Sequence, residues 1–216
     1  MFRGGTALNK LFIKPPARYS EDIDFVQKTP EPIGKTVDAI RNLLKSWLSN
    51  PAWKITEHSA KLIYKYEAIN KTPAKLKIEI NLKEHFHVLP LKTIPFSLDS
   101  NWANGKTDII TYELDELMAT KLRALYQRRK GRDLFDMWHL TVHDLIDLEQ
   151  VFNIFQKYCA YNKVKISGEE FLKNLEHKRN HRDFNTDMSV LLPSTLRWNF
   201  DEAYQFVIDK VISKML

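Results

Sequence analysis

Apolar and polar positions change their spacing once along this chain. Up to residue 112 the apolar residues alternate with polar ones or come in short runs, which predicts strands with an occasional helix. From Glu113 they recur at intervals of three and four, which predicts helices alone. In the first region, Ala7 to Phe12 is expected to be a short helix. Asp22 to Val26 alternates as a strand, and Thr36 to Leu48 is an amphipathic helix ended by Asn50-Pro51. Trp53 to Glu57, Leu62 to Ile69 and Leu76 to Leu82 are three further strand candidates. In the second region the expected helices are Glu113 to Arg129, Asp133 to Val142, Leu148 to Tyr161, Glu169 to Lys178 and Phe200 to Lys214. The pattern contains no internal repeat and no Gly/Ser linker. The fold class is therefore α+β: a mixed sheet flanked by helices over residues 1–112, followed by a helical C-terminal domain over 113–216.

The alternation puts Asp22 and Asp24 on one face of their strand, with Ile23 and Phe25 on the other. In the later strand Leu76, Ile78, Ile80 and Leu82 form the apolar side, and Lys75, Lys77, Glu79 and Asn81 the polar side. Strands are depleted in Asp, so a pair within one asks for a reason, although Asp-x-Asp also occurs on ordinary exposed strands. Two short carboxylates two residues apart, joined by a third from a neighbouring strand, suit one or two Mg2+ ions, because magnesium takes a few oxygen ligands and keeps water for substrate phosphates. Such ions serve in-line displacement at phosphorus.

Gly4-Gly5-Thr6 precedes a helix, where backbone N–H groups can cradle phosphate, though most glycine pairs are simple turns. No Walker lysine follows and the dinucleotide-binding glycine pattern is absent. In the helix from Glu113, Lys121 falls within the stripe of Leu114, Leu117, Met118, Leu122 and Leu125, and Arg128 falls on the same side. A cation there either snorkels to the edge or points into a cleft to neutralise triphosphate charge. Asp133 and Asp136 lie one helical turn apart; Asp133 either caps the next helix or serves the site.

Composition narrows the classes. Hydrophobic residues make up 44% and charged residues 28%, a globular balance, and the net charge of +6 with a pI near 9.2 suits nucleotides or nucleic acid as partners. The single cysteine, Cys159, excludes an intrachain disulfide framework and a cysteine zinc site, and reads as a buried inert thiol. No window approaches the ~18 apolar residues of a membrane span and no signal-peptide pattern opens the sequence, so the cytosol is the expected compartment. His85 and His87 flank Phe86 without further ligands, and His139 and His143 share a helix face without a metalloprotease glutamate; both pairs read as surface or packing residues.

Taken together, Gly4-Gly5-Thr6-Ala7-Leu8, Arg18-Tyr19-Ser20-Glu21-Asp22-Ile23-Asp24-Phe25, Lys77-Ile78-Glu79-Ile80 and Glu116 to Leu125, with Arg128 and Arg132-Asp133-x-x-Asp136, resemble the AbiEii/AbiGii toxin family of nucleotidyltransferases. The resemblance reaches Phe184-Asn185-Thr186-Asp187 and so covers nearly the whole chain. It implies a polymerase β-like core and metal-dependent transfer of a nucleoside monophosphate from an NTP, releasing pyrophosphate. It also implies a toxin of a bacterial toxin–antitoxin or phage-exclusion system, with a cognate antitoxin; some members add nucleotides to tRNA. Carried over, Gly4, Gly5 and Thr6 bind phosphates, Asp22, Asp24 and Glu79 hold Mg2+, and Lys121 and Arg128 meet the nucleotide. Asp133 and Asp136 complete the site from the helical domain, and Arg18 and Ser20 support it.

Two departures stand beside the resemblance. The glycine pair comes after three residues, so the N-terminal element is expected to be short, and the sixteen residues between Gly5 and Asp22 are more than the general polymerase β-like pattern has, though similar to what this toxin family shows. Three functions follow. The first is transfer to RNA, gripped by the basic stretches at Arg128-Arg129-Lys130-Arg132 and His177-Lys178-Arg179-His181-Arg182. The second is transfer to a protein or small-molecule hydroxyl. The third is a catalytically silent relative that binds nucleotide.

Overall fold

The computed structural model describes residues 1–216, which divide into two compact units. One comprises Met1–Pro16 and Ser20–Tyr112, the other Ala17–Tyr19 and Glu113–Leu216.

The first unit is built on a seven-stranded sheet. Its strands are β1 (Phe2–Arg3), β2 (Asp22–Val26), β3 (Ala52–Ile55), β4 (Ser59–Glu67), β5 (Pro73–Asn81), β6 (Lys92–Asp99) and β7 (Asn104–Thr111), in the spatial order β3-β4-β5-β2-β1-β7-β6. The sheet is mixed: β2 runs parallel to β5 and β1 parallel to β7, and the other neighbours are antiparallel. Helix α1 (Gly4–Ala7) runs into a π-helical turn at Leu8–Phe12, and α2 (Gly34–Leu44) follows β2. The expected helix at Ala7 thus starts three residues earlier, and that at Thr36 to Leu48 is shifted toward its N-terminus.

Alternation decides what each sheet face does. Ile23, Phe25, Ala60, Leu62, Tyr64, Leu76, Ile78 and Ile80 occupy one face, register partner against register partner, and Ile33, Val37, Ile40 and Leu44 of the α2 region close over them. Leu62 is 1% exposed, so its truncation to alanine would cost about 2–5 kcal/mol. Phe2, Ala7 and Leu11 form an adjoining cluster with Ile94, Phe96 and Ile109. The opposite face is left to the polar residues of the same strands.

β1, β6 and β7 were not anticipated. β1 has two residues, too few to show a period, and owes its existence to pairing with β2 and β7. β6 carries Pro95 and β7 opens Asn-Gly-Lys-Thr, compositions that read as loop until the partner strand is known.

The second unit is helical: α3 (Leu114–Gln127), α4 (Gly131–Val142), α5 (Leu148–Tyr161), α6 (Gly168–Arg179), α7 (Arg182–Asn185) and α8 (Phe200–Lys210), ending in a 3-10 turn at Ile212–Met215. Its starts are specified locally. Asp147 accepts from the Glu149 and Gln150 amides, Asn199 from those of Asp201 and Glu202, and Ser167 with Glu170 forms a capping box. α3 packs against α4, α5 and α6, and its stripe of Leu117, Met118, Leu122 and Leu125 is at most 2% exposed. At its far end the buried Lys178 ammonium donates to the Leu125 and Tyr126 carbonyls, closing the C-terminus of α3. Burial pushes this lysine down to about 8. No helix is long and apolar enough to cross a membrane.

Candidate active site

The polar face of the sheet carries a charged row that crosses four strands. Lys61 of β4 is the register partner of Glu79 on β5, Glu79 that of Asp24 on β2, and Asp24 that of Arg3 on β1. Asp22, two residues before Asp24 and on the same face, is opposite Lys77. Asp22, Asp24 and Glu79 therefore share one face of two adjacent strands, which are spaced by about 4.8 Å. Lysines interleave with them. Lys77 Nζ lies 2.8 Å from Asp22 Oδ2 and 3.4 Å from Glu79 Oε2, and Lys61 Nζ lies 3.0 Å from Glu79 Oε1. Burial alone would raise the Glu79 carboxyl, but Lys61 and Lys77 outweigh it and hold the group below its ordinary value. Partial burial works against the charged form of Lys77, and its contacts with Asp22 and Glu79 reverse this and raise it.

The donor chemistry fits Mg2+. Three carboxylates supply hard oxygens from one rigid surface, and the Lys77 ammonium already rests between two of them, where positive charge is wanted. The side chains are not gathered around one point, however: no three acidic, His or Cys side chains cluster in metal-binding geometry. A divalent ion shared by Asp22 and Glu79 would have to displace the Lys77 ammonium from between them.

The glycine motif is built against this face. Gly4 has φ +77°, open to glycine but strained for other residues, and a Cβ there would run into the Asp24 carboxylate. The Thr6 hydroxyl donates a hydrogen bond to the Asp22 backbone carbonyl, and Ser20 Oγ lies 2.7 Å from Thr6 Oγ1. Thr6 and Ser20 thus pin the first residue of β2. Gly5 is buried, and its carbonyl accepts from Asn9 Nδ2 at 3.0 Å.

The predicted residues of the second unit form a network of their own. Lys121 Nζ bridges Asp133 Oδ1 at 3.1 Å and Asp136 Oδ2 at 2.9 Å. Arg18 clamps Asp136 through Nε and Nη2 at 2.7 and 2.6 Å, and Arg128 clamps Asp133 through the same two atoms at 2.6 and 2.9 Å. Both aspartates are at most 1% exposed, so full pairing is what permits their charge. Burial by itself would raise Asp136, yet Lys121 and Arg18 bring it down to about 2; Asp133 is lowered in the same way by Lys121 and Arg128. Lys121 does not snorkel, being 6% exposed, and Asp133 pairs with cations and caps no helix. Arg18 and Ser20, neighbours in the same motif, part company: Arg18 belongs with the helices and Ser20 with the sheet.

Sequence reasoning gave Lys61 and Lys77 no role and misplaced Lys178. Grouped with a basic stretch expected to grip RNA, Lys178 is 4% exposed and turned to the Leu125 and Tyr126 carbonyls, closed to an RNA backbone. Lys77 had a signal, being the strand neighbour of Glu79 on the same face; Lys178 had none, because only its tertiary position buries it. The two basic stretches also meet, with Arg129 Nη1 lying 3.2 Å from His181 Nδ1 and the rings of His177 and His181 5.1 Å apart. His85 and His87 bind the backbone carbonyls of Gln27 and Leu89, and the His139 ring stacks on Phe135. An open acidic depression of about 630 Å3, lined by residues such as Asp144, Asp147 and Glu149, contains none of the predicted site residues.

Comparison with known proteins gives the family and the fold. The chain belongs to the family described as Nucleotidyl transferase AbiEii toxin, Type IV TA system, whose profile matches residues 1–206. It is accordingly a nucleotidyltransferase toxin of a type IV toxin–antitoxin system. Its fold is similar to that of MenT4, nucleotidyltransferase toxin Rv2826c from Mycobacterium tuberculosis H37Rv, with a TM-score of 0.67 at 16% identity over 100% of this chain and 76% of that one. No curated protein matches the sequence.

Proposed function

We propose that this toxin transfers a nucleoside monophosphate from an NTP to RNA, with tRNA as the acceptor class, using one or two Mg2+ ions held by Asp22, Asp24 and Glu79. The observation that carries the reading is the register of β2 on β5, which sets Asp24 beside Glu79 with Asp22 on the same face. Mg2+ bound there supplies charge neutralisation of the triphosphate and acidifies the acceptor hydroxyl. The acceptor oxygen bonds to the α-phosphorus as the bond from that phosphorus to the bridging oxygen of the leaving pyrophosphate breaks, and the hydroxyl proton departs to water.

The chain's own groups orient this chemistry. Gly4 leaves room for Asp24, and Thr6 with Ser20 fixes the start of β2. Lys77 keeps Asp22 and Glu79 neutralised between turnovers and is free to follow the phosphates during them. In the helical unit, Arg18 and Arg128 hold Lys121, Asp133 and Asp136 as a preorganised charged set. The contact of Arg129 with His181, whose ring lies beside that of His177, supports an RNA acceptor, because a cation and two imidazoles from separate stretches suit phosphodiester charge. A cognate antitoxin and a cytoplasmic setting accompany this reading.

Incubating cell extract and the protein with labelled NTPs, with and without RNase, tests the acceptor. Label that disappears on RNase treatment supports the proposal; RNase-resistant label on protein or small molecules contradicts it.

A further inference from the structure

The two edges of the sheet differ. The outer strand β6 carries Pro95 in its middle, and proline has no N–H to offer an incoming strand. The opposite edge, β3, has no proline between Ala52 and Ile55, and all four of its residues are exposed. Trp53 is 60% and Ile55 43% exposed, a large apolar area for an edge of four residues.

The hydrogen-bond phase of β3 can be worked out. The Thr56 amide donates to the Ser59 carbonyl at 2.8 Å, which makes that pair hydrogen-bonded. Antiparallel pairs alternate, so Lys54 with Lys61 and Ala52 with Ile63 exchange the next bonds. Trp53 and Ile55, opposite Leu62 and Ala60, consequently aim their N–H and C=O groups away from β4. The residues with outward backbone groups are thus the same two that expose apolar side chains.

Charge then selects among occupants. Lys54 is the register partner of Lys61, so the row across the sheet reads Lys54, Lys61, Glu79, Asp24, Arg3. Lys61 is paired inward with Glu79, whereas Lys54 stands at the open end with a like charge as its neighbour. A second copy joined antiparallel about Lys54 would set lysine against lysine. An acidic residue in that position meets Lys54 directly.

We infer that β3 is a docking edge for an extended segment of a partner protein, which adds an antiparallel strand with an acidic residue opposite Lys54 and apolar residues opposite Trp53 and Ile55. Main-chain bonds to Trp53 and Ile55 supply the pairing, and the alternation of side chains supplies the selectivity.

The test uses the full chain, 15N-labelled, and synthetic seven-residue peptides with a central Val-Glu-Val or Val-Lys-Val between threonines. With the glutamate peptide at ~1 mM, the Trp53 and Ile55 amides exchange with solvent about tenfold more slowly, and this peptide binds about threefold tighter than its lysine counterpart. Lys54→Glu reverses the preference. Ile55→Pro removes an outward N–H without touching a bond to β4, and abolishes binding while the β4 amides stay protected. Four results would overturn the inference: no slowing at either amide, equal affinity for both peptides, peptide-independent protection that grows with protein concentration, or burial of Trp53 by anionic vesicles with no response to peptide. The first leaves the edge without a strand partner, the second removes the charge selection, the third assigns the edge to a second copy, and the fourth assigns it to a membrane surface.

Discussion

Asp24 and Glu79 face each other across the parallel strands β2 and β5, and each is flanked in the same row by a cation, Arg3 beyond Asp24 and Lys61 beyond Glu79. Two carboxylates this close repel unless positive charge intervenes, and the sheet supplies it from both sides. The arrangement is electrostatically balanced as it stands, and the proposed Mg2+ would take over the place of the lysine charge. The first prediction follows from the carboxylates. Asp22→Asn, Asp24→Asn and Glu79→Gln should each lower nucleotidyl transfer by about a hundredfold or more, since metal-centred stabilisation amounts to several kcal/mol. Far-UV circular dichroism should be unchanged, because all three side chains lie on the face away from the Ile78–Leu62 core.

Lys77 should oppose metal binding. Replacing it with Met removes a partly exposed ion pair, so Mn2+ followed by electron paramagnetic resonance should bind about threefold tighter than in the parent. Weaker Mn2+ binding by Lys77→Met would show that the lysine aids the site in some other way.

Gly4→Ala should damage the site from behind. The new methyl group meets Asp24 at a backbone position with φ +77°, so the variant should lose about 1–2 kcal/mol of stability and most of its activity together. Chemical denaturation read beside NTP labelling checks both.

How far the sequence discloses this site depends on range. The carboxylate faces were legible because strand alternation is local, and Asp22 and Glu79 could be assigned to polar sides without a partner strand. Which strand lies beside which was not legible: the adjacency of β2 and β5 spans more than fifty residues and is set by the Ile23–Ile78 and Phe25–Ile80 contacts. The α3 stripe was equally plain, but Lys121 within it had two readings until Asp133 and Asp136 came round from α4. β6 and β7 were hidden by Pro95 and by the polar start Asn104-Gly105-Lys106, where tertiary pairing overrides propensity.

The buried network of the helical unit should respond unequally to its members. Asp136→Asn leaves Arg18 and Lys121 facing a neutral group in a dry setting and should cost about 3 kcal/mol. Lys121→Met leaves both aspartates clamped by arginine and should cost about 1 kcal/mol. Urea denaturation of the two variants separates these values.

Acid should weaken the same network. Asp136 titrates at about 2 in the folded protein against about 3.9 when unfolded, so its contribution is complete above the unfolded value and is lost as pH falls toward 2. The lost stability is about 2 kcal/mol between roughly pH 5 and pH 2. Asp136→Asn should flatten that part of the stability curve; an unchanged acid slope would contradict the pairing.

The most direct measurement incubates the purified chain with Mg2+, each labelled NTP in turn and total tRNA, beside the Asp22→Asn/Asp24→Asn double variant. The account predicts label on tRNA from at least one NTP, dependent on Mg2+ and absent from the variant. Label of equal intensity from the variant would contradict it, since the carboxylates of β2 would then have no part in the transfer.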